Sequence, residues 1–184
     1  MKLIQPGNSK LNNTHMFNLP ATKQVCNRMC PGCYAAREQV RFPAILEART
    51  KRLEASQSSL FASEIVAEIS RLRNKPKYFR IHASGEFYSQ DYVDSWITVA
   101  KAHPSITFYA YTKRMKDFDF SVLSAMSNVV IINSLHFNKL NYGTIDQAPE
   151  GAFICPSKTE KCGDTCTYCM TKTAQTNGVF FLKH

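Results

Sequence analysis

An α/β fold built on a parallel sheet follows from three patterns in this sequence. Strand-like segments at Tyr78 to His82, Ile106 to Thr112 and Val129 to Asn133 alternate with stretches of helical periodicity. Val129-Val130-Ile131-Ile132 is an unbroken apolar run, as expected of a strand buried on both faces. The 184 residues, 44% of them hydrophobic, suffice for one real core with at most a small appendage. Strands joined through helices need crossover connections, so they lie parallel, and the segments leaving their carboxyl ends gather on one rim.

The elements read in order as follows. Residues 16 to 20, Met-Phe-Asn-Leu-Pro, predict a short first strand that feeds a cysteine loop. Residues 44 to 55, after Pro43, read as a helix. A second helix starts near Ser59 with Phe61, Ile65, Ile69 and Leu72 on one face and stops by Pro76. The strand from Tyr78 is followed by a Ser-Gly turn and a helix begun by Ser89, whose buried stripe is Tyr92, Val93, Trp96, Ile97 and Ala100. The β-branched and aromatic run Ile106 to Thr112 is a third strand. A shorter helix over about Phe120 to Met126 then leads to the apolar fourth strand. From about Leu140 the pattern changes: Gly143, Pro149 and Gly151 interrupt it, and Asn177-Gly178 predicts a small terminal hairpin. The expected organisation is a core over residues 1–140 and a cysteine-rich, metal-held extension over 141–184 that caps the rim.

Seven cysteines, an odd number in two tight groups, fit metal ligation better than a disulfide framework and point to a reducing cytoplasm. The start, Met1-Lys2-Leu3-Ile4-Gln5-Pro6-Gly7, lacks the apolar run of a signal peptide, and no stretch is long enough for a bilayer, so no membrane partner is expected. The formal charge is +9. Its basic residues concentrate at Arg37, Arg41, Arg49, Lys51 and Arg52 and again at Arg71, Arg73, Lys75 and Lys77. These runs read either as solvated helix faces or as an attraction for an anionic partner, nucleic acid or a phosphorylated substrate.

The first cysteine group, Cys26-x3-Cys30-x2-Cys33, places three thiolates on one short loop, with Gly32 freeing the backbone between them. Three thiolates hold a [4Fe-4S] cube and leave one iron open to chemistry, whereas four would close it. Zinc fits the same spacing if His15, His82 or a distant cysteine completes it. The second group, Cys155-x6-Cys162-x3-Cys166-x2-Cys169, has four thiolates of its own, suited to a second [4Fe-4S] cluster or to tetrahedral zinc in a structural or electron-relay role.

The strand ends supply the other candidates. Ser84-Gly85-Glu86 follows the second strand, and Glu86 can offer a carboxylate to an ammonium group. Thr112-Lys113-Arg114 ends the third with a hydroxyl and two cations, Arg114 being able to grip a carboxylate or phosphate in bidentate fashion. Asn133, Ser134 and His136 end the fourth, where they either hydrogen-bond a ligand hydroxyl or simply terminate the strand. His82 reads as a core histidine.

Together the cysteine loop and the Ser-Gly-Glu turn resemble the radical S-adenosylmethionine superfamily over roughly residues 16 to 136. That resemblance implies a [4Fe-4S] cluster on Cys26, Cys30 and Cys33, S-adenosylmethionine on the open iron, and Glu86 at its amino group. Ser84 and Phe87 stand where the superfamily turn has glycine and proline, and Gly32 where an aromatic residue often precedes the third cysteine. About 120 residues between the cysteine groups allow about four βα units, hence a truncated parallel (βα) partial barrel. The chain is also similar to the phage gene product 88 family through Gly7-Asn8-Ser9-Lys10-Leu11, Leu19-Pro20-Ala21, Cys30-Pro31-Gly32-Cys33-Tyr34 and His82-Ala83-Ser84-Gly85-Glu86-Phe87-Tyr88-Ser89. The expectation is a radical enzyme served by an electron donor, in an infected host cell if phage-encoded. The alternative is a non-catalytic iron-sulfur or zinc protein that binds nucleic acid or a protein.

Overall fold

The computed structural model describes residues 2–27, 30, 32–137, 141–157 and 159–183. Along the chain come β1 (Gln5–Pro6), β2 (Thr14–Phe17), α1 (Lys23–Cys26), α2 (Tyr34–Arg41), α3 (Pro43–Ser56), α4 (Phe61–Ser70), β3 (Tyr78–Ile81), α5 (Gln90–Ala102), β4 (Thr107–Thr112), α6 (Ser121–Ala125) and β5 (Val129–Asn133). The tail adds β6 (Tyr142–Gly143), 3-10 turns at Ile145–Gln147 and Tyr168–Met170, α7 (Lys172–Asn177) and β7 (Phe181–Leu182). The main sheet has the order β1-β2-β3-β4-β5, with β2 to β5 mutually parallel and β1 an antiparallel edge. The architecture is therefore mixed α/β on a mostly parallel five-stranded sheet.

The first parallel strand lies slightly earlier than the sequence predicts, at Thr14–Phe17 rather than 16 to 20. Pro20 has no N–H to offer a ladder. Leu19 has already left the strand by then, its N–H bonding to the Ser84 carbonyl (3.0 Å). The helix expected to run towards Pro76 ends at Ser70. Ser89 caps α5 as its residue type predicts, accepting from the Tyr92 N–H.

Alternation along the strands divides the core in two. Phe17, Phe79, Ile81, Phe108, Ala110, Val129 and Ile131 belong to a front cluster, closed by Phe61, Ile65 and Ile69 of α4 and by Tyr92, Val93, Trp96 and Val99 of α5. Trp96 is its centre, with ring centroids 5.7 to 5.8 Å from Phe17, Phe61 and Phe79. Tyr78, Tyr109, Val130 and Ile132 face the other way, against Cys155, Cys169, Met170, Ala174 and Val179. The unbroken run in β5 is thus buried on both faces.

That second cluster corrects two expectations. The cysteine-rich tail packs on the back of the sheet instead of capping the rim, because the back-facing tyrosines and aliphatics need cover and the helices lie in front. Asn177-Gly178 ends α7 instead of turning a hairpin. Gly178 adopts φ +74°, a helix-terminating conformation, and β7 pairs parallel with β6. The tail is also stitched to the amino-terminal segment: Cys162 N–H donates to the Lys10 carbonyl (3.0 Å) and Asn12 N–H to the Cys162 carbonyl (2.9 Å).

The first basic run loses much of its surface. Arg49 and Arg52 are buried, Arg49 pairing with Glu38 and Arg52 donating to the Leu3 carbonyl (2.8 Å), while Lys51 pairs with Glu47. Among the described residues no helix is long and apolar enough to cross a membrane. Because Trp96 is fully buried against four aromatic rings, Trp96→Ala is expected to cost about 3–5 kcal/mol of stability, read from the urea midpoint.

Candidate functional site at the carboxyl rim

The loop carrying the first three cysteines hangs between two helices. Cys26 ends α1, its N–H bonded to the Thr22 carbonyl (2.8 Å), and the chain reverses at Asn27, whose φ is +63°. Cys33 opens α2, its carbonyl accepting from the Arg37 N–H (3.2 Å). Arg28, Met29 and Pro31 of this loop lie outside the described residues. Buried Gln39 fixes α2 to the end of the first strand segment, accepting from the Ala21 N–H (2.7 Å) and from Arg49 (3.2 Å).

The Ser-Gly-Glu turn is locked to the same segment. Asn18 Oδ1 accepts from the N–H groups of Ala83 (2.7 Å) and Ser84 (3.2 Å), and Ser84 Oγ donates to the Leu19 carbonyl (2.9 Å). Gly85 has φ +87°, and a Cβ there would lie 2.5 Å from Leu19 Cβ, so only glycine meets both demands. The Tyr34 hydroxyl donates to the Ala83 carbonyl, joining α2 to the turn.

Glu86 is the meeting point. Its Oε1 accepts from the Phe87 N–H (2.9 Å) and the Thr112 hydroxyl (2.8 Å), and its Oε2 from the Lys113 N–H (2.9 Å). Two acceptor directions on Oε1 are thereby used, and one on Oε2 is left for a further donor. Lys113 Nζ lies 3.1 Å from Cys30 Sγ, tying the end of β4 to the cysteine loop. Burial raises the Glu86 carboxyl above its ordinary range, against the opposing effect of these hydrogen bonds. The Cys26 thiol is pushed up to about 11, first by burial and then by Glu86, Cys33 and Cys30, with Lys113 opposing. Three thiols and a carboxylate thus share one neighbourhood, which calls for positive charge.

Other strand-end residues turn to structural duties. Arg114 pairs with Asp117 and lies over the Phe118 ring (4.9 Å), and its N–H donates to Thr112 Oγ1. Asn133 accepts from the Leu135 N–H through its side chain and from Asn141 through its carbonyl, both at 2.9 Å. Ser134 N–H donates to the Thr112 carbonyl (2.8 Å), and His136 packs close to Gly178. Cys26, Cys30, Cys33, Glu86, Thr112 and Lys113 are therefore brought together at the rim, whereas Asn133, Ser134 and His136 hold the chain's own backbone and tail. Sequence reasoning missed Asn18 and Tyr34, whose roles are set by partners at distant positions in the chain.

Neither histidine considered as a zinc ligand is drawn into the thiol group. His15 sits mid-strand in β2 beside Phe79. His82 Nε2 is bonded to the Tyr92 hydroxyl (2.8 Å), with its ring stacked on Tyr92 and edge-on to Phe87. Among the described residues, no group of three or more His, Cys, Asp or Glu side chains is placed to hold a metal ion.

The back of the sheet carries the other four cysteines. Cys155, Cys162 and Cys169 line a cavity of about 210 Å³ with Arg80, Tyr109 and Tyr111. Burial raises all three thiols, and Cys169 reaches about 12 as its neighbouring cysteines add to the effect. Cys166 raises each of them further, so the four thiols form one electrostatic group.

Burial, and next the charge of Arg80, lower the His82 pKa from 6.5 to about 3, so the folded protein keeps this ring neutral. Unfolding takes up a proton between those values. Stability is therefore expected to fall on acidification through that window, by up to about 1.4 kcal/mol per pH unit. Urea midpoints measured against pH should show this slope, and His82→Asn should flatten it by one proton.

Comparison with known proteins gives this geometry a family. The Gene 88 protein of Mycobacterium phage L5 is 33% identical over 106 residues, covering 53% of this chain and 43% of the relative. The Gene 88 protein of Mycobacterium phage D29 is 30% identical over 106 residues with the same coverage. The chain thus spans less than half the length of these curated relatives. No solved structure matches it. The profile described as Gene product 88 matches residues 1–151, most of the chain and all of the rim, and the protein belongs to that family.

Proposed function

We propose that the rim is the site of a radical S-adenosylmethionine-type reaction on a substrate whose identity the rim leaves open. The observation that carries this reading is the convergence on one place of Cys26, Cys30 and Cys33, the Glu86 carboxylate and Lys113, from segments far apart in sequence. The strands behind them run parallel and in chain order, as in a truncated (βα) partial barrel.

The donor set fits a [4Fe-4S] cluster. It is all sulfur and it supplies three ligands. Three thiolates fill three corners of a cube and leave one iron open, whereas zinc needs a fourth ligand that neither His15, within β2, nor His82, bonded to Tyr92, supplies. When bound, such a cluster supplies one electron from an external donor, and the sulfonium of S-adenosylmethionine is cleaved to methionine and a 5'-deoxyadenosyl radical that takes hydrogen from the substrate.

The chain's own residues account for binding and orientation. Glu86, held by three donors, keeps one direction on Oε2 for the amino group of the cofactor. Lys113 gives Cys30 an N–H···S contact that holds the cysteine loop against the end of β4. Thr112 spends its hydroxyl keeping Glu86 in place. The phage origin of the relatives agrees with action in the reducing interior of an infected cell.

Anaerobically purified protein, reconstituted with iron and sulfide and given dithionite and S-adenosylmethionine, is expected to release 5'-deoxyadenosine, followed by liquid chromatography. Cys30→Ala should abolish cluster and product together. Glu86→Gln should retain the cluster but weaken cofactor binding about tenfold or more, the loss of one charge-assisted contact. A reconstituted, folded protein that forms no 5'-deoxyadenosine would overturn the reading.

A further inference from the structure

Arg80 stands out as a charge inside an apolar strand, Tyr78-Phe79-Arg80-Ile81. It lies on the back of the sheet, away from the rim's carboxylate. Its guanidinium sits over the Tyr111 ring (5.4 Å from the centroid), and its Nε donates to the His82 carbonyl (3.2 Å). Among the described residues no carboxylate is within ion-pair distance of it, and Glu160, which lines the same cavity, makes no such pair. What Arg80 does face is the cavity lined by Cys155, Cys162 and Cys169. A half-enclosed cation needs an anion, and this cavity offers thiols as its source.

The cavity also speaks to the size of its occupant. Four cysteines around zinc draw in to Zn–S contacts of about 2.3 Å and leave no space between the sulfurs. Here Cys155, Cys162 and Cys169 line about 210 Å³ of space together with Arg80, and Cys166 is joined to Cys162 by a backbone bridge. That arrangement suits a larger, multi-iron group with an overall negative charge. We infer that the cavity behind the sheet seats a polynuclear iron-sulfur cluster on Cys155, Cys162, Cys166 and Cys169, and that Arg80 is the fixed counter-cation that sets its reduction potential. The claim concerns the back of the sheet and holds whether or not S-adenosylmethionine is cleaved at the rim.

The site can be isolated within the full chain by replacing Cys26, Cys30 and Cys33 with alanine. This variant, reconstituted anaerobically with ferrous iron and sulfide and in parallel with zinc chloride, is expected to retain iron and sulfide in equal amounts and to give an electron paramagnetic resonance signal on reduction with dithionite. A positive charge stabilises the more negative, reduced state, so Arg80→Met in this background should move the midpoint to lower potential. Arg80→Lys, which keeps the charge, should stay closer to the parent. If the triple replacement fails to fold, Cys155→Ala in the otherwise unchanged chain gives the same answer, with iron falling by the second cluster's share while the rim cluster remains. One zinc without sulfide, no metal in the folded protein, or an unchanged midpoint in Arg80→Met would overturn the inference.

Discussion

The geometry of the rim depends on the grip that two strand ends keep on one carboxylate. Glu86 reaches across from the turn after β3 to the Thr112 hydroxyl and the Lys113 N–H at the end of β4. Burying a carboxylate is costly, and three hydrogen bonds make it tolerable. In return the carboxylate fixes the spacing of the two strand ends, and with it the place from which Lys113 touches the cysteine loop. The turn itself is held from behind by Asn18, Leu19 and the close approach that Gly85 permits. The thiols therefore face an anchored surface.

The sheet keeps its two cysteine groups on different sides. Its carboxyl rim presents the first cysteine group, and its back presents the second. Arg80 lies between them: its side chain lines the rear cavity, and its Nε steadies the carbonyl of His82, two residues before Ser84 begins the rim turn. His82 adopts φ +67°, an unusual conformation for a residue with a side chain. The Arg80 bond and the aromatic packing of the imidazole support it there.

Much of this could be read from the residues alone wherever the signal was local. The apolar run of β5, the Ser89 cap, the helical stripe of α5 and the two cysteine groups all appear as short-range patterns. Helix α2 did not, because Tyr34–Arg41 is largely polar and its opening residue, Cys33, reads first as a ligand. The Asn-Gly pair near the end fits a hairpin or a helix stop equally well, and only tertiary packing chose the latter. Arg114 offered a grip for anions, yet Asp117 three residues on was already a competing partner. The Lys113 to Cys30 contact spans 83 positions, a distance over which periodicity carries no information. Arg80 drew no notice within a segment that reads simply as a strand, because its surroundings come from a tail more than seventy positions later.

The stitch between Lys10, Asn12 and Cys162 has a consequence for biosynthesis. The front of the sheet can close as soon as β5 has left the ribosome, since α4 and α5 precede it. The rear cannot: Tyr78, Tyr109, Val130 and Ile132 wait for Cys155, Met170 and Val179 to emerge. During that interval the nascent chain shows a sticky apolar wall to its surroundings.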